Sequence, residues 1–162
     1  MWCHGHGSGL VVWDYHVLAM GCTPAGEAVI FDLDSSLPFP CSVVLWTQRA
    51  LLVDSDMCKS QQLKRQWRVV QASQFLAHFA SDRSHMIKEV TVNEQVRYEW
   101  SSPPPPYNCI STPESSNNLP QYLDMAQSSL EEPSTLAACH ESKYGVLMQE
   151  SIFLRLILPN GD

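Results

Sequence analysis

The sequence predicts an α+β fold, and three features carry that expectation. A chain of 162 residues that is 44% hydrophobic and only 17% charged buries a core, and at this length one domain is the default. Short apolar runs with strand character are interspersed with helical stretches. A Gly/Pro turn joins the first two runs as an antiparallel hairpin, which favours α+β over a doubly wound parallel sheet.

Residues 1–9 are a Gly/His-rich lead-in without periodicity, and residues 10–158 read as the single domain. Residues 10–20 are mainly aliphatic or aromatic, as in a buried strand. Turn chemistry follows at 21–26, with Pro24 inside it, and 28–32 form the second strand of the hairpin. Leu37-Pro38-Phe39-Pro40 is an extended loop, after which Ser42 caps a helix running to residue 52. A short strand is expected around 67–70 and a short helix over 73–79, then a polar loop over 80–86. The four prolines of 103–106 force an extended segment that is neither helix nor central strand. A weak helix is expected over 119–126, a loose Ser/Glu-rich surface segment over 127–141, a strand over 144–148 and a final apolar stretch to 158.

Charge and cysteine usage narrow the function classes. Ten Lys and Arg against 17 Asp and Glu leave a net charge of −7, without the basic stripe that a nucleic-acid partner requires. No apolar run approaches the ~20 residues of a membrane span, so no membrane partner is expected. The six cysteines, Cys3, Cys22, Cys41, Cys58, Cys109 and Cys139, read as reduced thiols. The first ten residues lack an apolar signal-peptide segment, no Asn-x-Ser/Thr sequon is present, and a core-forming chain needs no stapling. Cys3-His4-Gly5-His6 holds soft ligands, yet no second pair at zinc spacing follows, so no metal is expected.

The hairpin carries the chemistry. Strand alternation puts Val11, Trp13, Tyr15, Val17 and Ala19 on one face and Val12, Asp14, His16 and Leu18 on the other. Trp13 and Tyr15 are therefore expected in the core, facing away from His16. On the second strand Asp32 and Asp34 share a face. Folding the hairpin about Pro24 sets His16 opposite Asp32 and Asp14 opposite Asp34, with Cβ atoms ~5 Å apart. A histidine held by a carboxylate is the basic half of a nucleophile–His–Asp arrangement, because the carboxylate fixes the tautomer and stabilises the imidazolium. The same spacing also fits a hydrogen-bonded histidine in a half-buried hairpin.

Trp13-Asp14-Tyr15-His16-Val17 resembles the signature of the protein N-terminal glutamine amidohydrolases, the WDYHV-motif family. Phe31-Asp32-Leu33-Asp34, Leu37-Pro38-Phe39-Pro40, the run from Phe79 to Met86 and Pro103-Pro104-Pro105-Pro106-Tyr107 match it further, in order. The resemblance covers residues 2–150, and 153–162 are expected to leave the pattern. It implies deamidation of the side chain of an N-terminal Gln to Glu, with release of ammonia, in the arginylation branch of the N-degron pathway. It also implies a papain/transglutaminase-like cysteine-hydrolase core, no cofactor, a monomer, a cytoplasmic and nuclear location, and proteins or peptides with N-terminal Gln as partners. By motif match His16 is the general base and Asp32 its orienting carboxylate. An acidic group must hold the substrate's α-ammonium, and Asp14, Asp34 and Asp82 are the candidates on charge.

One departure shapes the expectations. The resemblance places the nucleophile in a Tyr-Cys-Glu-Glu-Asn segment at a helix start, upstream of the Trp-Asp-Tyr-His motif, where the helix N-terminus acidifies a thiol. No residues here match that segment. The expectation is an N-terminally truncated member lacking that helix, with an inactive fragment or a non-catalytic binding protein as the alternative. Among the cysteines weighed as substitutes, Cys3 has no helix behind it and Cys22 lies in the hairpin turn. Cys41, at the start of a helix, is expected to be somewhat acidified.

Overall fold

The computed structural model describes residues 13, 15–51, 65–126, 130–140 and 142–158. The lead-in, Asp14, residues 52–64, and the first part of the expected strand at 10–12 lie outside the described residues.

Three small antiparallel sheets and several short helices make up the described chain, in keeping with α+β. The first sheet holds β1 (Ala19–Cys22), β2 (Ala28–Phe31) and β3 (Cys41–Ser42), in that order. The hairpin turn is closed by the Thr23 carbonyl accepting from Gly26 N–H at 2.8 Å, while Thr23 N–H donates to the Glu27 carbonyl at 2.9 Å. Gly26 sits at φ +84°, a left-handed conformation that glycine adopts without steric cost. The ladder is centred on Ala25 rather than Pro24: Ala19 pairs with Phe31, where folding about Pro24 predicts Val29. A shift of two preserves the face of every side chain.

The expected strand over 10–20 is corrected. Its described part is irregular from Tyr15 to Leu18, and β1 runs instead from Ala19 into the expected turn. Leu37-Pro38-Phe39-Pro40 folds back on β2, with Phe39 edge-on to Phe31 at 5.5 Å. β3 then adds to β2 through Ile30↔Cys41 and Val29↔Ser42. Helix α1 (Val43–Arg49) starts where expected, Ser42 Oγ accepting from Leu45 N–H at 3.3 Å. It ends at Arg49, three residues before the expected end.

The second sheet pairs β4 (Gln66–Val69) with β7 (Val146–Gln149), and β7 leads directly into α4 (Glu150–Ile157). The final apolar stretch is thus an amphipathic helix that buries Phe153 and Ile157. Its first residue, Glu150, pairs with Arg65, whose Nη2 donates to Oε1 at 3.0 Å. The core joins the two sheets: Ile30, Cys41, Val43 and Trp46 pack with Val146, Met148, Phe153 and Ile157. Cys139, in the 3-10 turn Leu136–Cys139, is 1% exposed and belongs to this core, so the expected loose segment is anchored there.

Helix α2 (Ala72–His78) and α3 (Leu119–Leu123) meet through Phe75, Phe79 and Tyr122, whose rings lie 4.6–5.7 Å apart. Asn118 ties them together, its Oδ1 accepting from Ala80 N–H at 2.8 Å and its Nδ2 donating to the His78 carbonyl. The polyproline segment is strapped down by Arg83, which donates to the carbonyls of Pro105, Tyr107 and Asn108 and lies 4.8 Å from the Tyr107 ring centre. A third sheet was not anticipated. β5 (Ile87–Val92) and β6 (Gln95–Trp100) form a surface hairpin about Asn93 and Glu94, both at positive φ.

Candidate active site

The short Asp-rich turn after β2 builds the site. Asp34 N–H donates to Asp32 Oδ1 at 3.0 Å, a local Asx-type bond that turns the chain and aims both carboxylates back towards the first strand. His16 lies beyond the end of the β1–β2 ladder. Continuing the observed register sets it level with Asp34, with Asp32 as diagonal neighbour, and the distances agree. His16 Nε2 is 3.0 Å from Asp32 Oδ1, and His16 Nδ1 is 3.7 Å from Asp34 Oδ2. The expected opposition of His16 and Asp32 therefore survives as a diagonal contact.

A carboxylate only accepts, so the hydrogen bond puts the proton on Nε2 and leaves the neutral imidazole's lone pair on Nδ1. Asp32 has a side chain 7% exposed and is held on both oxygens. Oδ1 accepts from His16 and Asp34, and Oδ2 accepts from the indole Nε1–H of Trp46 at 3.0 Å. The other face of the histidine is covered as well. Trp13 stacks on the imidazole with centroids 4.9 Å apart and planes 20° from parallel. This corrects the expectation that Trp13 faces away from His16 in the core; Tyr15, expected there too, is exposed. The alternation behind that expectation holds only in a strand, and the segment before Ala19 is not one. His16, Asp32 and Asp34 also bring three potential metal-ligand atoms within 4.8 Å of one another, although both oxygens of Asp32 already accept hydrogen bonds.

The arrangement is a histidine hydrogen-bonded to one carboxylate, with a second carboxylate beside its other ring nitrogen. The chain matches the family described as N-terminal glutamine amidase over residues 1–157. It belongs to that family. The protein N-terminal glutamine amidohydrolase of Homo sapiens is 42% identical over 119 residues, which are 74% of this chain and 54% of that protein. The Bos taurus protein of the same name is 41% identical over 119 residues, 74% of this chain and 53% of the relative. The one from Oryza sativa subsp. indica is 37% identical over 151 residues, 90% of this chain and 62% of the relative. The chain thus spans little more than half the length of these animal relatives. The glutamine amidase match runs to residue 157, so the expectation that 153–162 leave the pattern is corrected for 153–157.

Of the residues the glutamine amidase resemblance singled out, the structure brings His16, Asp32 and Asp34 together. Asp14 lies outside the described residues. Asp82 is exposed and belongs to a different loop, where Ser84's backbone N–H and hydroxyl hold its carboxyl below the usual range. It stands outside the His16 cluster. Loop 80–86 is tied by this bond and by Ser81 Oγ accepting from Arg83 N–H. His85 lines a separate concavity of ≈ 510 Å³ with Asn117, Leu119 and Asp124, none of them part of the His16 cluster.

The described cysteines, Cys22, Cys41, Cys109 and Cys139, are free thiols, and none belongs to the His16 cluster. The acidification expected for Cys41 is reversed. Burial, and then the Asp32 charge, push its thiol above the ordinary value of 9.0. The residue that sequence reasoning missed is Trp46. It lies on the buried face of α1, and nothing in the spacing marks an indole as the partner of a carboxylate fourteen residues earlier.

Proposed function

We propose that this chain acts as a protein N-terminal glutamine amidohydrolase, converting N-terminal Gln to Glu with release of ammonia. The observation that carries the reading is the His16–Asp32 hydrogen bond, with Nδ1 left as the basic atom, in a chain of this family. A thiolate attacks the side-chain carboxamide carbon, and the C–N bond breaks as His16, protonated from the thiol, gives its proton to the departing ammonia. Water, deprotonated by His16, then hydrolyses the thioester and frees the sulfur. Asp32 holds the ring and stabilises the imidazolium in both steps. His16 is thus the base and acid, and Asp32 the orienter; none of the described thiols lies in the cluster, so the attacking sulfur is left unassigned.

Asp34 is the anchor for the substrate's α-ammonium. Its carboxylate is 33% exposed and stands 3.7 Å from the base nitrogen, on the side where the reacting amide must sit. Asp82 loses that role to its loop bond. Residues 10–158 form one domain with a papain/transglutaminase-like organisation, working as a monomer on proteins and peptides with N-terminal Gln. The location is the cytoplasm and nucleus, and the product enters the arginylation branch of the N-degron pathway. Among the described residues no helix is long and apolar enough to cross a membrane.

The test is product identification by mass spectrometry on short peptides beginning with Gln, with Asn, or with Nα-acetylated Gln. The expected result is an amide-to-acid mass gain confined to residue 1 of the free Gln peptide. Equal conversion of the acetylated peptide removes Asp34 from the reading, and no conversion by folded protein overturns the activity.

A further inference from the structure

We infer that Trp46 is a positioning residue for the catalytic pair: its indole N–H fixes the rotation of the Asp32 carboxylate, and through it the imidazole of His16. This rests on the reading of His16 and Asp32 as base and orienter, and deepens it.

The argument starts from what a carboxylate needs. With donors on Oδ1 alone, Asp32 is free to turn about its terminal torsion, which is broad and roughly two-fold in side chains of this type. Each turn breaks the contact to His16 Nε2. The Trp46 donor, 3.0 Å from Oδ2, closes that freedom. It comes from a ring 1% exposed, one of the most deeply buried side chains of the described chain. A donor on a rigid aromatic held in the core orients its acceptor in a way that water cannot.

The ring is itself fixed from behind. Trp46 meets Trp67 of β4 edge-on at 6.0 Å, and Trp67 stacks on Phe153 of α4 at 4.1 Å, with planes 9° apart. Three aromatic side chains thus run from the second sheet and the last helix to the carboxylate. On the far side Trp13 stacks on the imidazole, so the His16–Asp32 pair is gripped at both ends. The Trp46 contact links the site to the part of the chain farthest away in sequence. The ring's burial is what a core residue requires; the aim of its N–H at Oδ2 is what a positioning role requires.

The test is made by NMR on the unmodified chain and on Trp46→Phe, which keeps an aromatic ring and removes the donor. The readout is solvent exchange of the His16 Nε2 proton, with the buried Ile30 amide as a monitor of general loosening. The expected result is Nε2–H exchange faster by about tenfold, the factor a hydrogen bond to a charged group is worth, with Ile30 exchange unchanged. Unchanged Nε2–H exchange in folded Trp46→Phe overturns the proposal, as does acceleration of both protons in equal measure. Where Trp46→Phe does not fold, Asp32→Ala decides. The Trp46 indole proton then exchanges about tenfold faster if Asp32 is its acceptor, and an indole proton indifferent to Asp32 overturns the assignment. These readouts need no turnover, so failure here is distinguishable from failure of the proposed activity.

Discussion

At the scale of single residues, Asp32 and Asp34 are chemically alike and differ in what surrounds them. Asp32 is engaged by three donors and Asp34 borders the free nitrogen of His16, so on the proposed roles their amide variants separate two kinetic constants. Asp32→Asn keeps the shape but offers an amide that no longer compels the Nε2–H tautomer. Deamidation of a Gln peptide is expected to lose about 10⁴-fold in kcat, the scale found when a triad carboxylate becomes an amide. Asp34→Asn is expected to raise KM with a smaller effect on kcat, the pattern of a lost binding contact. Equal losses of kcat in both variants would put Asp34 in the chemical step. The thiols also divide. Cys41 and Cys139 are 2% and 1% exposed and burial pushes both upward, while Cys22 and Cys109 are exposed. Alkylation at neutral pH followed by peptide mass mapping is expected to label Cys22 and Cys109 well before the buried pair.

The pairing of His16 with Asp32 was legible in the sequence because the hairpin returns the chain after Phe31 to the chain before Ala19, although His16 itself lies outside the strand. Trp13 was misplaced because alternation was carried into residues that are not strand. Trp46 was unreadable as a partner, since a donor supplied across the packing between a helix and a sheet leaves no local pattern.

At the scale of elements, the turns decide where the site sits. Gly145 stands at φ +73° directly before β7, and a Cβ there would collide with the Val69 carbonyl of the paired strand. Gly145→Ala is expected to destabilise the chain by about 2 kcal/mol or more, combining positive φ with a backbone clash. Urea unfolding monitored by tryptophan fluorescence checks this, and an unchanged midpoint would contradict the β4–β7 geometry. The capped start of α1 was readable from Ser42, as was the turn around Pro24, since both depend on local chemistry. The β5–β6 hairpin was missed although its strands alternate. Its turn uses Asn93-Glu94 in place of the Asn-Gly pair that signals such hairpins.

At the scale of the whole molecule, one core serves both sheets, and its ionisable members set a pH dependence. Burial raises the thiols of Cys41 and Cys139 above 9.0 and the phenol of Tyr122 above 10.0. Each is neutral in the fold and ionises more readily when unfolded. Their contribution to stability is complete below the unfolded values and is lost as pH rises towards the folded ones. The melting temperature is therefore expected to fall between about pH 9 and 11, and less steeply in Cys41→Ser. The α+β class was legible from interspersed strands and helices, whereas the joining of sheets by Trp46, Trp67 and Phe153 is long-range packing that periodicity does not encode.

The claim on which the rest depends is that His16 is the acid–base group of an N-terminal glutamine amidohydrolase. It is tested most directly by the rate of ammonia release from one Gln-starting peptide, measured for the unmodified chain and for His16→Ala. The account predicts steady release by the unmodified chain and a loss of about 10³-fold or more in the variant, with its fold intact by circular dichroism. Equal release by the two proteins, or none from either, would contradict it.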